Sequence, residues 1–164
     1  MINMSNRPAS PVRDIVLGGV IAALYAALTL LLAPISFGAV QFRVAEALTL
    51  LPVVSPAAVP GLFIGCLASN LLFGAPWQDV VFGSLATLLA AVLTRFLRRN
   101  LWLAAFMPVL LNGLIVGGTL SILYNLPMAV TIATVALGEA AVCYMLGIPL
   151  VRFASKLLGE PLEH

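Results

Sequence analysis

The chain has 164 residues, a mass of 17.2 kDa and a mean hydropathy of +1.14, the size of one domain. Hydrophobic residues make up 62% and charged residues 9%, with a net charge of +2; ordinary soluble domains hold about 45–50% and about 25%. So few charges cannot cover a soluble protein's surface, which excludes a soluble enzyme, a nucleic-acid-binding protein and a disordered chain and leaves an integral membrane protein.

Residues 1–13, with Arg7, Pro8, Pro11 and Arg13, read as a solvated tail. Ile15 to Ala33 carries no charge and is long enough for one span. It is too long for a cleaved signal peptide, and comparable spans follow it. Pro34 to Gln41 reads as a loop around Gly38. Phe42 to Val54 is apolar apart from Arg43 and Glu46. It is short for a hydrocarbon core of about 30 Å at about 1.5 Å per residue, so the expectation is a short, tilted or partly re-entrant helix. Pro52, Pro56 and Pro60 mark the following turn.

A third span is predicted over 57–73, then a turn at Gly74-Ala75-Pro76. The fourth runs from Trp77 to Phe96. Arg98, Arg99 and Asn100 link it to the fifth, Leu101 to Leu123, which carries Asn112. A turn over Tyr124-Asn125-Leu126-Pro127 leads to the sixth, Met128 to Val151, which carries Glu139. The expected organisation is a tail (1–13), a single all-α six-helix transmembrane domain (14–157) and a C-terminal tail (158–164). Leu162-Glu163-His164 at its end reads as the start of an appended purification tag.

Six spans put both termini on one side. Arg7, Arg13, Arg95, Arg98, Arg99, Arg152 and Lys156 then share that side, and Arg43 alone lies opposite. The positive-inside rule makes the shared side cytoplasmic. Five spans would scatter the basic residues, so the short second segment counts. The expected location is a prokaryotic cytoplasmic membrane, crossed several times.

Gly18, Ala22 and Ala26 recur every four residues in the first span, and Gly19, Ala23 and Ala27 form an adjacent row. Such faces let helix backbones approach closely, either inside the bundle or against a second membrane protein. In the fourth span Gly83, Thr87, Ala90 and Thr94 share a face with Asp79, which points Asp79 into the bundle.

Arg43, Glu46, Asp79 and Glu139 lie within or at the edge of spans. Each costs about 2.5–3.5 kcal/mol at mid-membrane, so each marks a functional site by default. Arg43 and Glu46, three apart on a helix, share a face and can pair. Asp79 has the alternative of capping its helix, and Glu139 that of a structural bond to another helix. Asn70, Gln78 and Asn125 join Arg43, Glu46 and Asp79 in the outer third of the membrane, with Asn112 and Glu139 as a deeper floor; Trp77 and Tyr124 sit near the outer interface. Three carboxylates against one arginine favour a neutral or cationic ligand rich in hydrogen-bond donors. Phe37, Phe42, Trp77 and Tyr124 offer flat faces for a planar ring.

The chain carries no HExxH, GxSxG or Walker motif. Its only histidine is His164. Cys66 and Cys143 lie in apolar runs without a nearby Cys or His and read as small buried side chains. No catalytic residue, metal or cofactor is expected.

The run Gln41-Phe42-Arg43-Val44-Ala45-Glu46-Ala47-Leu48 resembles the queuosine-precursor transporter (QueT) family. So do Leu51-Pro52, Pro60-Gly61-Leu62-Phe63-Ile64-Gly65-Cys66 with Asn70, and Asp79 followed by Phe82-Gly83 and Ala86-Thr87-Leu88. The resemblance covers roughly residues 14–157. It implies a substrate-binding S component of an energy-coupling factor transporter, a six-helix protein with an outward-facing pocket. Its implied partners are a transmembrane coupling (T) subunit and two ABC-type ATPases, with ATP hydrolysis on the ATPases. Docking through Ala22, Ala23, Ala26 and Ala27 of the first helix follows from the same resemblance, as does a 7-deazaguanine ligand such as preQ1 or queuine. The motif positions carried over as binding residues are Arg43, Glu46, Asn70 and Asp79. Asn112 and Glu139 rest on their depth in the bundle. An S component for another vitamin, or a stand-alone channel, are the alternatives, since fold does not decide ligand.

Overall fold

The computed structural model describes residues 11–33, 43–159 and 162. The loop read at Pro34 to Gln41, the aromatic faces of Phe37 and Phe42, most of the N-terminal tail and the last two tag-like positions lie outside the described residues. Six helices form: α1 (Pro11–Leu31), α2 (Val44–Val53), α3 (Ala58–Phe73), α4 (Asp79–Phe96), α5 (Leu101–Tyr124) and α6 (Met128–Leu158). No strand occurs among the described residues. By length and composition α1, α4, α5 and α6 can each cross a membrane, while α2 and α3 are shorter apolar helices. The chain is a multi-pass, all-α membrane protein.

Two boundaries differ from expectation. α1 is already helical at Pro11, ahead of the span read from Ile15. α6 runs past Val151 to Leu158 before Gly159 closes it at φ 68°. That extension is amphipathic: Val151 and Ser155 are buried while Arg152 and Lys156 are exposed.

α2 departs furthest from its expected form. It winds as a 3-10 helix, rising about 2.0 Å per residue, and every residue from Ala45 to Val53 is buried. A helix apolar on all sides has no face for solvent and belongs in a core. The other five helices pack in the series α1, α3, α4, α5, α6 around it, and α2 touches each of them. The short segment is the axis of the bundle.

Glycines set the two closest seams. A Cβ at Gly61 would lie 2.6 Å from the carbonyl oxygen of Gly18, and one at Gly65 would lie 2.8 Å from that of Ala22. A Gly-x-x-x-Gly pair on α3 thus receives α1. On α5 a Cβ at Gly117 would meet the Cα of Ile132 at 2.8 Å, and one at Gly113 the Cβ of Ala136 at 3.0 Å.

The end of α2 is tied to α4. Arg95 Nη1 donates to the carbonyls of Pro52 and Val53, each at 3.0 Å, satisfying acceptors that a helix end leaves open. Arg95→Met keeps the stem and removes both donors. It is expected to cost about 2 kcal/mol, the scale of charge-assisted bonds to backbone, seen as a lowered Tm in detergent with ligand affinity little changed.

Candidate functional site

The polar residues that composition could not explain meet around α2. Arg43, Glu46, Asn70, Asp79, Asn112 and Glu139 are all buried, Glu46 completely. α2 supplies Glu46, with Arg43 just before its first turn. α3 supplies Asn70, α4 Asp79, α5 Asn112 and α6 Glu139.

The helices are locally adapted there. α4, α5 and α6 each contain one π-type turn, at Asp79–Gly83, Asn112–Val116 and Cys143–Gly147. Such turns are rare and concentrate at functional sites. The first two begin on a residue of the cluster, and Cys143 lies 3.8 Å from Glu139 Oε1.

Asn112 Nδ2 donates to Glu139 Oε1 at 2.9 Å, joining α5 to α6 by the kind of interhelical bond that was the alternative reading of Glu139. The hydroxyl of Tyr25 donates to Glu46 Oε1. Asn70 Nδ2 donates to the carbonyl of Asp79 at 3.3 Å, fixing the start of α4 against the end of α3. Arg43 acts electrostatically on Glu46, Asp79 and Glu139. A Cβ at Gly83 would lie 3.9 Å from Arg43 Nη1 and 3.4 Å from Asn70 Nδ2, so Arg43 reaches from α2 across to α4.

Four buried oxygens in this cluster have no hydrogen-bond partner among the described residues: Glu46 Oε2, Asn70 Oδ1, Asp79 Oδ1 and Asn112 Oδ1. All are acceptors. Buried acceptors are normally satisfied, and each one left over needs an explanation. A set of four in one cluster is chemically suited to a ligand whose edge carries several N–H donors.

Asp79 does not cap its helix. Its own N–H is bonded to the Pro76 carbonyl at 2.9 Å, which places it inside the first turn. The stripe through Asp79, Gly83, Thr87, Ala90 and Thr94 is buried throughout, as its spacing implied. Trp77 is 66% exposed and Tyr124 56% exposed; neither joins the buried cluster. Gln78 is half-buried beside Asp79, and Asn125 is exposed at the left-handed turn after α5. In α1, Ala22 packs on Gly65, and Ala26 is half-buried. Ala23 and Ala27 are exposed with Gly19.

Sequence reasoning missed Tyr25, which is 1% exposed. Its signal was position: tyrosine belongs at membrane interfaces, and one in mid-span needs a partner for its hydroxyl. It also missed that the cysteines border the cluster. Cys66 Sγ accepts from Thr87 Oγ1 at 3.4 Å and from Asn70 Nδ2 at 3.6 Å.

A family model described as QueT transporter matches residues 15–156. Among curated proteins, the queuosine precursor transporter QueT of Lactococcus lactis subsp. cremoris (strain MG1363) is 42% identical over 77 residues. That stretch covers 46% of this chain and 45% of the relative, so the match spans less than half of the relative's length. No solved structure matches the chain.

Proposed function

This chain belongs to the QueT transporter family, and on that premise we propose that it is the substrate-binding subunit of an energy-coupling factor transporter in a prokaryotic cytoplasmic membrane. It captures a queuosine precursor, a 7-deazaguanine such as preQ1 or queuine, from outside. The observation that carries this reading is the set of buried acceptor oxygens without partners on Glu46, Asn70, Asp79 and Asn112. A guanine-like ring presents a ring N–H and an exocyclic amine side by side. A carboxylate accepts two such parallel donors at once. A second carboxylate then pairs with an aminomethyl cation, and Glu46, Asp79 and Glu139 supply the candidates. Gln78 lies at the margin of this set, and Trp77 stands outside it.

The energy comes from partners: a transmembrane coupling subunit and two ABC-type ATPases. Both termini are cytoplasmic in this reading, and residues 14–157 form the one substrate-binding domain. α1 offers the docking face. Its exposed row of Gly19, Ala23 and Ala27 is free of the α3 seam, whereas Ala22 and Ala26 serve packing as well.

Reconstitution tests this. Liposomes holding the chain alone are expected to show no preQ1 flux, and liposomes holding the chain with a coupling subunit and ATPases to accumulate preQ1 only when ATP is supplied. Ala23→Leu with Ala27→Leu is expected to abolish that uptake while leaving preQ1 binding intact. Flux through the chain alone would overturn the subunit reading in favour of a channel.

A further inference from the structure

The cluster encloses a cavity lined by Arg43, Asn112, Val116, Val135 and Glu139. The volume open to the centre of a water-sized sphere is about 10 Å³, room for about one water. Small-molecule sites run to about 300–1,000 Å³. A ring-sized ligand seated in this cavity would have to move part of its lining. Val116 and Val135 are packed in an apolar cluster, and Asn112 is bonded to Glu139. Arg43 is the longest of the five side chains.

Arg43 also stands where its own helix does not favour it. Its carbonyl accepts the Glu46 N–H at 2.9 Å, which puts a cation at the N-terminal end of α2. Helix dipoles favour anions at that end. Arg43 is 6% exposed, lines this cavity together with Glu139, and is close enough to Glu46 and Asp79 to act on their charge as well.

We propose that Arg43 is an internal cation standing in for the ligand: it occupies the ligand's place in the closed site, and a cationic group on the ligand displaces it from the Asn112–Glu139 wall. This rests on reading the cluster as the ligand site. Arg43 is then a specificity residue. It offsets part of the carboxylates' charge in the closed state and sets what a ligand must bring to replace it.

The first test needs no knowledge of the substrate. Arg43→Ala opens the cavity and leaves its carboxylates without their guanidinium. Thermal unfolding in detergent with millimolar methylguanidinium chloride is expected to show a raised Tm for Arg43→Ala and none for wild type. Adding Glu139→Gln to Arg43→Ala is expected to remove the rise. A second test compares preQ1 with the same ring bearing a neutral nitrile in place of the aminomethyl group. Arg43→Ala is expected to increase the preference for the cation by about tenfold, the lower end for buried charge pairs. Should Arg43→Ala fail to fold, a structure of wild-type protein with preQ1 decides, and the proposal requires the guanidinium to have left Asn112 and Glu139.

An Arg43 still on that wall beside bound preQ1 would overturn the proposal and leave the substrate reading intact. So would equal Tm values for Arg43→Ala with and without methylguanidinium. A methylguanidinium response in a protein that binds no 7-deazaguanine supports the cation site and removes the substrate.

Discussion

Glu46→Gln is expected to weaken preQ1 binding by about a hundredfold in a protein that still folds. Glu46 is fully buried on the central helix. Its Oε1 takes the Tyr25 hydroxyl, and a glutamine carbonyl can accept the same bond. Its Oε2 has no partner, and there the change replaces an anionic acceptor with an NH2 donor. Donors on the ligand would then meet a donor. Losing one side of a buried charge-assisted contact costs about 2–5 kcal/mol, and about 1.4 kcal/mol is tenfold in affinity. Calorimetry on the purified variant checks this. An affinity within about threefold of wild type would remove Glu46 from the ligand contacts.

The second large effect is on the fold. Gly65→Leu is expected to destabilise the protein by about 3 kcal/mol or more, the upper range for forcing extra volume into a packed contact. A Cβ at this position would already lie 2.8 Å from both the Ala22 carbonyl oxygen and the Tyr25 Cβ. The leucine must push α1 away and carry Tyr25 off Glu46, so ligand binding falls with stability. Gly19→Leu is the contrast. A Cβ there meets nothing within 4 Å, and its effect on the isolated chain is expected to stay within about 0.5 kcal/mol. Denaturation in detergent reads both. Equal stability of the two variants would mean that the α1–α3 seam is not set by glycine.

Much of this architecture is legible in the sequence. Uncharged runs separated by proline and glycine turns locate the helices, and the one-sided distribution of arginine argues for counting six. The inward face of α4 follows from the spacing of Asp79, Gly83, Thr87, Ala90 and Thr94, all of them buried. The burial of Arg43, Glu46, Asn112 and Glu139 follows from the cost of charge and amide in lipid. The role of α2 does not. Hydropathy shows that the segment is apolar and short but carries no information about neighbours. Only packing reveals that five helices surround it. The Gly61/Gly65 and Gly113/Gly117 pairs were visible as Gly-x-x-x-Gly motifs. Tyr25 was hidden for a different reason: hydropathy treats it as one more apolar residue, and its hydroxyl matters only beside Glu46. Trp77 was expected in the site because aromatic rings stack on planar ligands, yet it is exposed, two residues ahead of α4.

The proposed function requires the buried acceptors around α2 to bind a donor-rich 7-deazaguanine. The measurement that tests it most directly is calorimetric titration of the purified, ligand-free chain in detergent with preQ1, queuine, guanine, riboflavin and thiamine. Sub-micromolar binding of preQ1 or queuine is expected, with weaker binding of guanine, no binding of riboflavin or thiamine, and loss of the signal in Glu46→Gln. A folded chain that binds neither preQ1 nor queuine, or that binds them as tightly without the Glu46 carboxylate, would contradict it.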